Sequence, residues 1–306
     1  METPIVKVEN LSHRYAIQWA IRDIDFEINK TGVYGLLGVN GSGKSTIMNI
    51  MCGVLKQTQG EVFIKGLSTT QNPVGAKKNI GFLPQQVPLY PDLTVEEYLT
   101  YTAYLRLQPK KNISKTVSST MDKCGISHFR KRLVRNLSGG YQQRIGIAQA
   151  IIHNPSFVVL DEPTNGLDPN QILEIRKLIK EIAEENTVLL STHILQEVQA
   201  ICDHIWMINE GQQVFSGTME EFDNYIVPNS LLISFANPPS LEELQKVSSV
   251  RQIEYKDNKS FVVHFDDADE VIDNIVNESV KNSWHLREIR REKTSMDSVF
   301  TELSRK

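Results

Sequence analysis

The chain is poor in cysteine, with three in 306 residues: Cys52, Cys124 and Cys202. Their wide spacing and odd number exclude a disulfide framework and any zinc site built on close cysteine pairs. An excess of basic charge is also missing. Against 37 Asp and Glu stand 33 Lys and Arg, a net charge of −4. The chain therefore lacks the basic stripe with which nucleic-acid binders neutralise phosphates. No apolar run approaches the roughly 20 residues of a membrane-spanning helix. The longest, Ser156–Leu160 and Thr187–Leu190, have the length of strands. The N-terminal METPIVKVENL shows no basic stretch leading into an apolar one, so no secretory signal is expected. Internal repeats and low-complexity segments are absent as well. What remains is an ordinary globular composition, 40% apolar and 23% charged, at a length suited to two domains.

Periodicity sketches an α/β domain. Ile5–Leu11 and Ile24–Ile28 alternate like half-buried antiparallel strands, and Val33–Leu37 is a continuous apolar run. Lys44–Leu55 reads as a helix, followed by short strands at Glu61–Ile64 and Ile80–Leu83. Thr94 and Glu97 form a capping-box pattern ahead of Tyr98, Leu99 and Leu105. Residues about 87–153 read as a helical insert. The strand pattern returns at Phe157–Leu160 and Thr187–Ser191, and His204–Phe215 reads as a hairpin. After residue 227 the pattern resets to β-α-β-β-α-β, the ferredoxin-like order, with a last helix expected at Met296–Leu303. The expected division is 1–227 and 228–306.

Three motifs carry chemistry. Gly38–Ser45 (GVNGSGKS) follows a strand and opens a helix, the setting of a phosphate loop. Gly38, Asn40, Gly41, Ser42 and Gly43 let backbone N–H groups turn onto phosphate oxygens, at a helix N-terminus whose dipole favours anions. Lys44 is expected to reach the β/γ-phosphates, Ser45 to ligate Mg²⁺, and Thr46 to close the cradle. Phe157–Glu162 (FVVLDE) is a buried strand ending in two carboxylates. Asp161 fits a metal-holding role, and Glu162 can orient or deprotonate an attacking water. Leu137–Arg144 (LSGGYQQR) opens a second helix with Ser138 as natural N-cap and Gly139-Gly140 behind it. One polyphosphate does not need two such cradles from one side. Ser138 therefore either lies across the nucleotide or faces the nucleotide of another copy.

In that setting LSGGYQQR resembles the signature motif of ATP-binding cassette (ABC) ATPases, and the other cassette motifs follow in family order over about residues 4–225. The resemblance implies a P-loop NTPase core with an antiparallel β subdomain and a helical insert, followed by a small α+β domain. It implies ATP and Mg²⁺ as ligands. Tyr15, in LSHRY, is similar to the aromatic that stacks on adenine. Gln85, in GFLPQ, is similar to the Q-loop glutamine that contacts Mg²⁺ and the attacking water, with Gln86 adjacent. Asn165–Asp168 resembles the D-loop, and His193, in LLSTH, the switch histidine at the γ-phosphate. It further implies two cassettes paired head to tail, identical or paralogous, so that Ser138, Gly139 and Gly140 close on the partner's nucleotide. Membrane-spanning permease subunits would contact the segment at about Pro88–Leu107 and hold the chain at the cytoplasmic face of the membrane. The ending Thr294–Leu303 is similar to exporter-type bacterial subunits. Nucleic acid is not an expected partner. The alternative is a soluble ABC ATPase acting on ribosomes or nucleic acid, which usually carries two cassettes or an inserted coiled coil.

Overall fold

Apolar runs and alternations set the elements of the chain, of which the computed structural model describes residues 3–223, 230–257, 259–265 and 268–291. Contacts divide it into two units, Met1–Met219 and Glu220–Arg305. This division falls earlier than the expected one after residue 227, and residues 224–229 lie outside the described residues.

The first unit begins with β1 (Val6–Tyr15), β2 (Gln18–Ile28) and β3 (Gly32–Leu37), followed by α1 (Lys44–Met51). Next come β4 (Gln59–Ile64), β5 (Leu67–Ser68), α2 (Pro73–Lys78) and β6 (Ile80–Leu83). Three helices, α3 (Val95–Leu105), α4 (Ile113–Lys123) and α5 (Gly139–Ile151), fill the stretch expected to be helical. The unit then runs through β7 (Phe157–Asp161), α6 (Pro169–Ala183), β8 (Thr187–Thr192), α7 (Leu195–Ile201), β9 (His204–Asn209) and β10 (Gln212–Thr218). A short α8 (Met219–Asp223) straddles the division.

Two sheets share this unit. β2-β1-β4-β5 is antiparallel, as the half-buried alternation requires. The second has the order β10-β9-β3-β8-β7-β6 and is parallel except for the β9–β10 hairpin. Every residue of β7 and β8 is buried, which is why both read as unbroken apolar runs. Register decides where the chemistry goes. Leu37 pairs with Thr192, Asp161 with Ser191, and Leu83 with Leu160. The carboxyl ends of four parallel strands therefore finish level, and the loops after them open along one edge, where α/β sheets bind ligands.

Thr94 caps α3 with the full reciprocal box: Glu97 N–H donates to Thr94 Oγ1 at 3.3 Å, and Thr94 N–H donates to Glu97 Oε2 at 2.8 Å. The sequence reading passed over α2. Its Pro73-Val74-Gly75 looks like a turn, yet Pro is well placed in a first helical turn. Asn72 Oδ1 caps it by accepting from Gly75 N–H at 3.0 Å.

The second unit contains β11 (Ser230–Phe235), α9 (Leu241–Gln245), β12 (Val250–Asp257), β13 (Ser260–Phe265), α10 (Ala268–Lys281) and β14 (Leu286–Arg291). Its sheet order is β12-β13-β11-β14, antiparallel throughout. Leu231, Ile233, Phe235, Phe261, Val263 and Ile275 form its core with Trp284. The helix expected at Met296–Leu303 and the ending Thr294–Leu303 lie outside the described residues.

Candidate functional site: a phosphate loop beside a clamped carboxylate

The loop between β3 and α1 is held in shape by close approach. A Cβ on Gly38 would lie 2.3 Å from Ile208 O, and one on Gly43, where φ is +113°, 2.6 Å from Ile21 Cγ2. Only glycine fits at either place. The β9–β10 turn braces the loop, because Gly211 N–H donates to Ser42 O at 2.9 Å and Arg22 N–H donates to Gly211 O at 2.8 Å. Lys44, the first residue of α1, is buried and donates from Nζ to Gly38 O at 2.8 Å and Val39 O at 3.0 Å. Burial pushes its ammonium below the usual lysine range, against the pull of the Glu162 and Asp161 carboxylates. Ser45 Oγ donates to Asp161 Oδ1 at 3.4 Å. Two hard oxygen donors, one from the helix start and one from a strand tip, thus meet beside the lysine.

Glu162 follows directly and is held from every side. Its φ of +48° is costly for a residue with a Cβ, of order 1–2 kcal/mol, and turns its side chain away from that of Asp161. Its N–H donates to Ser191 Oγ at 3.0 Å, and the same hydroxyl donates to Asp161 Oδ1 at 2.5 Å. The side chain is 9% exposed. Oε2 accepts from Gln85 Nε2 at 2.9 Å and from Asn165 Nδ2 at 3.0 Å, while His193 Nδ1 lies 3.1 Å from Oε1. Groups from the ends of β6, β7 and β8 thereby converge on one carboxylate.

A cleft of about 760 Å³ opens at this edge. Tyr15, Asn40, Gly41, Gly43, Lys44, Ser45, Thr46, Gln85 and Glu162 line it, but Gln86 does not. Tyr15 is 54% exposed, with its ring edge-on to His13 at 4.7 Å. Gly38, Ser42 and Asp161 are buried and, like His193, are not part of this lining. The sequence reading missed Gln18, Trp19, Ala20, Glu210 and Gly211, which complete the lining. Two of them belong to a hairpin turn distant in sequence, and no local signal marks them. It also missed Ser191, whose only signal is a polar residue in the apolar strand TVLLST.

The signature residues stand apart from this cleft. Ser138 is exposed at the N-cap position of α5, but its side chain makes no capping hydrogen bond, contrary to expectation. Ser138 and Gly139 are exposed there, whereas Gly140 is buried. Gly140 and Asp168 line a separate cleft of about 270 Å³, where Asp168 Oδ1 caps α6 by accepting from Asn170 and Gln171 N–H, both at 3.0 Å.

A buried phosphate-loop lysine, a strand-end aspartate and a clamped glutamate at one sheet edge define a P-loop nucleoside triphosphatase. Residues 21–165 match the ABC transporter family. The bacitracin transport ATP-binding protein of Bacillus licheniformis is 36% identical over 68% of this chain and 68% of its own length. The lipopolysaccharide export system ATP-binding protein of Haemophilus influenzae is 33% identical over 72% and 93%. The linearmycin resistance ATP-binding protein of Bacillus subtilis is 26% identical over 98% of both. Among solved structures, cbiO1 from Clostridium perfringens, part of an ABC transporter complex, shares 30% identity at a TM-score of 0.67 over 73% of this chain and 92% of that one. A dimeric ATP-binding cassette in a post-hydrolysis state with ADP and Pi shares 26% identity at a TM-score of 0.64, over 70% and 98%. The chain belongs to the ABC transporter family, as an ATP-binding subunit that hydrolyses ATP. Among the described residues no helix is long and apolar enough to cross a membrane.

Proposed function

We propose that two of these cassettes close head to tail on ATP and reopen after hydrolysis, driving export through separate membrane-spanning permease subunits. The observation that carries the mechanism is the Glu162 carboxylate, clamped by Gln85, Asn165 and His193 at the wall of the cleft that holds Lys44. Tyr15 stacks on the base, and the amides of the phosphate loop with Lys44 hold the phosphates. Glu162 accepts the proton of the water that attacks the γ-phosphorus, with Gln85 orienting that water. His193 holds Glu162 and reaches the γ-phosphate. Ser45 Oγ and Asp161 Oδ1, with Gln85, fit Mg²⁺ as oxygen donors. That ion, when bound, supplies positive charge at the phosphate oxygens.

Pairing is supported by the separation of Ser138, Gly139 and Gly140 from the chain's own cleft and by the dimeric cassette among its structural relatives. The pair is two identical chains or two paralogues. Export, at the cytoplasmic face of the membrane, is supported by relatives named for bacitracin transport, linearmycin resistance and lantibiotic transport. The full-length linearmycin resistance match supports residues 228–306 as an accessory domain beside a cassette of residues 1–227. The alternative of action on ribosomes or nucleic acid finds no support among these relatives. The test is Glu162→Gln. It should retain ATP, form an ATP-dependent dimer and lose about 10²–10⁴-fold in phosphate release. Wild-type phosphate release by this variant would overturn the mechanism.

A further inference from the structure

Glu197, in the first turn of α7, is 4% exposed and is not part of the lining of the cleft that holds Lys44. A buried carboxylate is tolerated only when its oxygens find donors. Both oxygens of Glu197 do, and the choice of donors is informative. Oε2 accepts from Thr192 Oγ1 at 2.5 Å, and Oε1 accepts from Thr164 Oγ1. Thr192 ends β8 and immediately precedes His193. Thr164 lies in the turn after Glu162 and immediately precedes Asn165. His193 and Asn165 are two of the three side chains that hold the Glu162 carboxylate. Each threonine bound by Glu197 is thus one residue from a group bound to Glu162.

We infer that Glu197 is a positioning residue for ATP hydrolysis: it ties Thr164 to Thr192 and so keeps Asn165 and His193 in register on Glu162. The inference rests on Glu162 being the base. Further hydrogen bonds hold the bracket in place. Thr192 Oγ1 gives its proton to Glu197 and accepts Ile194 N–H at 3.0 Å. Glu197 N–H donates to Ile194 O at 3.1 Å. Its carboxylate is therefore not used to cap α7, as an early-helix glutamate often is. It spans two loops instead. A movement of the Asn165–Asp168 loop is transmitted through Thr164 and Glu197 to the residue beside His193, so the loop and the switch histidine shift together.

The test uses the full chain, with steady-state phosphate release and thermal unfolding. Glu197→Gln keeps the shape but turns one acceptor oxygen into a donor. It should lower kcat at least about 10-fold while KM for ATP stays within about 2-fold, because misplacing a catalytic group by about 1 Å costs on the order of 10²-fold. Thr164→Val should lower kcat similarly, and Thr164→Ser, which keeps the hydroxyl, should restore it. This pair decides the matter if Glu197→Gln fails to fold. In a His193→Ala, Asn165→Ala background, Glu197→Gln should lower the residual kcat no further, since the residues it acts through are gone. Wild-type kcat in Glu197→Gln, an equal loss in Thr164→Ser and Thr164→Val, or a full loss persisting in that background would each overturn the inference. Glu162→Gln separates the two levels. An active Glu162→Gln removes the underlying mechanism, whereas an inactive one beside a normal Glu197→Gln removes only the bracket.

Discussion

His193 Nδ1 lies 3.1 Å from Glu162 Oε1, although the two residues are 31 apart in sequence and come from the ends of different strands. The contact exists because β7 and β8 are adjacent and in parallel register, with Asp161 opposite Ser191. The histidine side chain is 38% exposed and the glutamate side chain 9%, so a largely buried carboxylate has this partner at the surface. His193→Ala should therefore reduce phosphate release by about 10²-fold or more, while ATP affinity, set by the phosphate loop, changes little. Combined with Glu162→Gln it should cost no more than the larger single effect, because groups acting as one unit are not additive. Fully additive losses in single-turnover phosphate release would contradict a shared role.

A second prediction concerns the signature. Ser138 is exposed and absent from the cleft of its own chain. Ser138→Arg should abolish turnover of the paired cassettes yet leave nucleotide binding to the isolated chain within about 2-fold, since no group within hydrogen-bond range of that cleft is altered. Fluorescent-nucleotide titration of the monomer checks this. A monomer that no longer binds would place Ser138 in the nucleotide site of its own chain.

The contrast between Glu162 and the rest of its cleft explains what the sequence can reveal. Gly38–Ser45, Asp161-Glu162 and Leu137–Arg144 are local: loop, strand tip and helix start carry their meaning in consecutive residues. Tyr15, Gln85 and His193 are single residues that gain meaning only from their order along the chain. Trp19, Glu210, Gly211 and Ser191 were invisible because they reach the site through sheet register and hairpin packing, which no short window encodes. Asp168 was legible for a different reason. Asp before Pro169 is a strong capping pattern, and it forms two capping bonds whatever else the loop does. Ser138 shows the limit of that logic, since its N-cap position is occupied without the side-chain bond.

The phosphate loop offers a third prediction, from two glycines three residues apart. A Cβ on Gly38 would meet Ile208 O at 2.3 Å, a backbone atom fixed in the sheet. On Gly41, where φ is +82°, it would meet nothing within 4 Å. Gly38→Ala should cost on the order of 3 kcal/mol and abolish ATP binding through forced displacement of the loop. Gly41→Ala should cost only about 1 kcal/mol, from the left-handed backbone alone. Urea unfolding compares the two, and equal costs would show that the loop yields to a methyl group at either place.

A fourth prediction follows from His153, just past the end of the signature helix and outside the nucleotide cleft. Burial, helped by the nearby Arg106 charge, pushes its pKa down to about 4. Its neutral ring donates from Nε2 to Ile80 O at 3.0 Å, while Nδ1 is buried without a partner. The unfolded chain takes up this proton near pH 6.5 and the folded chain only near 4. Between those values the unfolded state binds more protons, so stability falls as pH falls through 6.5 and levels off below about 4. The loss attributable to this one ring between pH 8 and pH 5 should be about 2 kcal/mol. His153→Asn should have a lower stability at pH 8 but a smaller decline toward pH 5. The difference between the two urea-unfolding profiles isolates the ring from the exposed carboxylates, which titrate lower. Parallel profiles would mean that the ring titrates alike in the folded and unfolded chains, and on charging below pH 6.5 the buried ring would then need a partner for Nδ1 that its present packing does not supply.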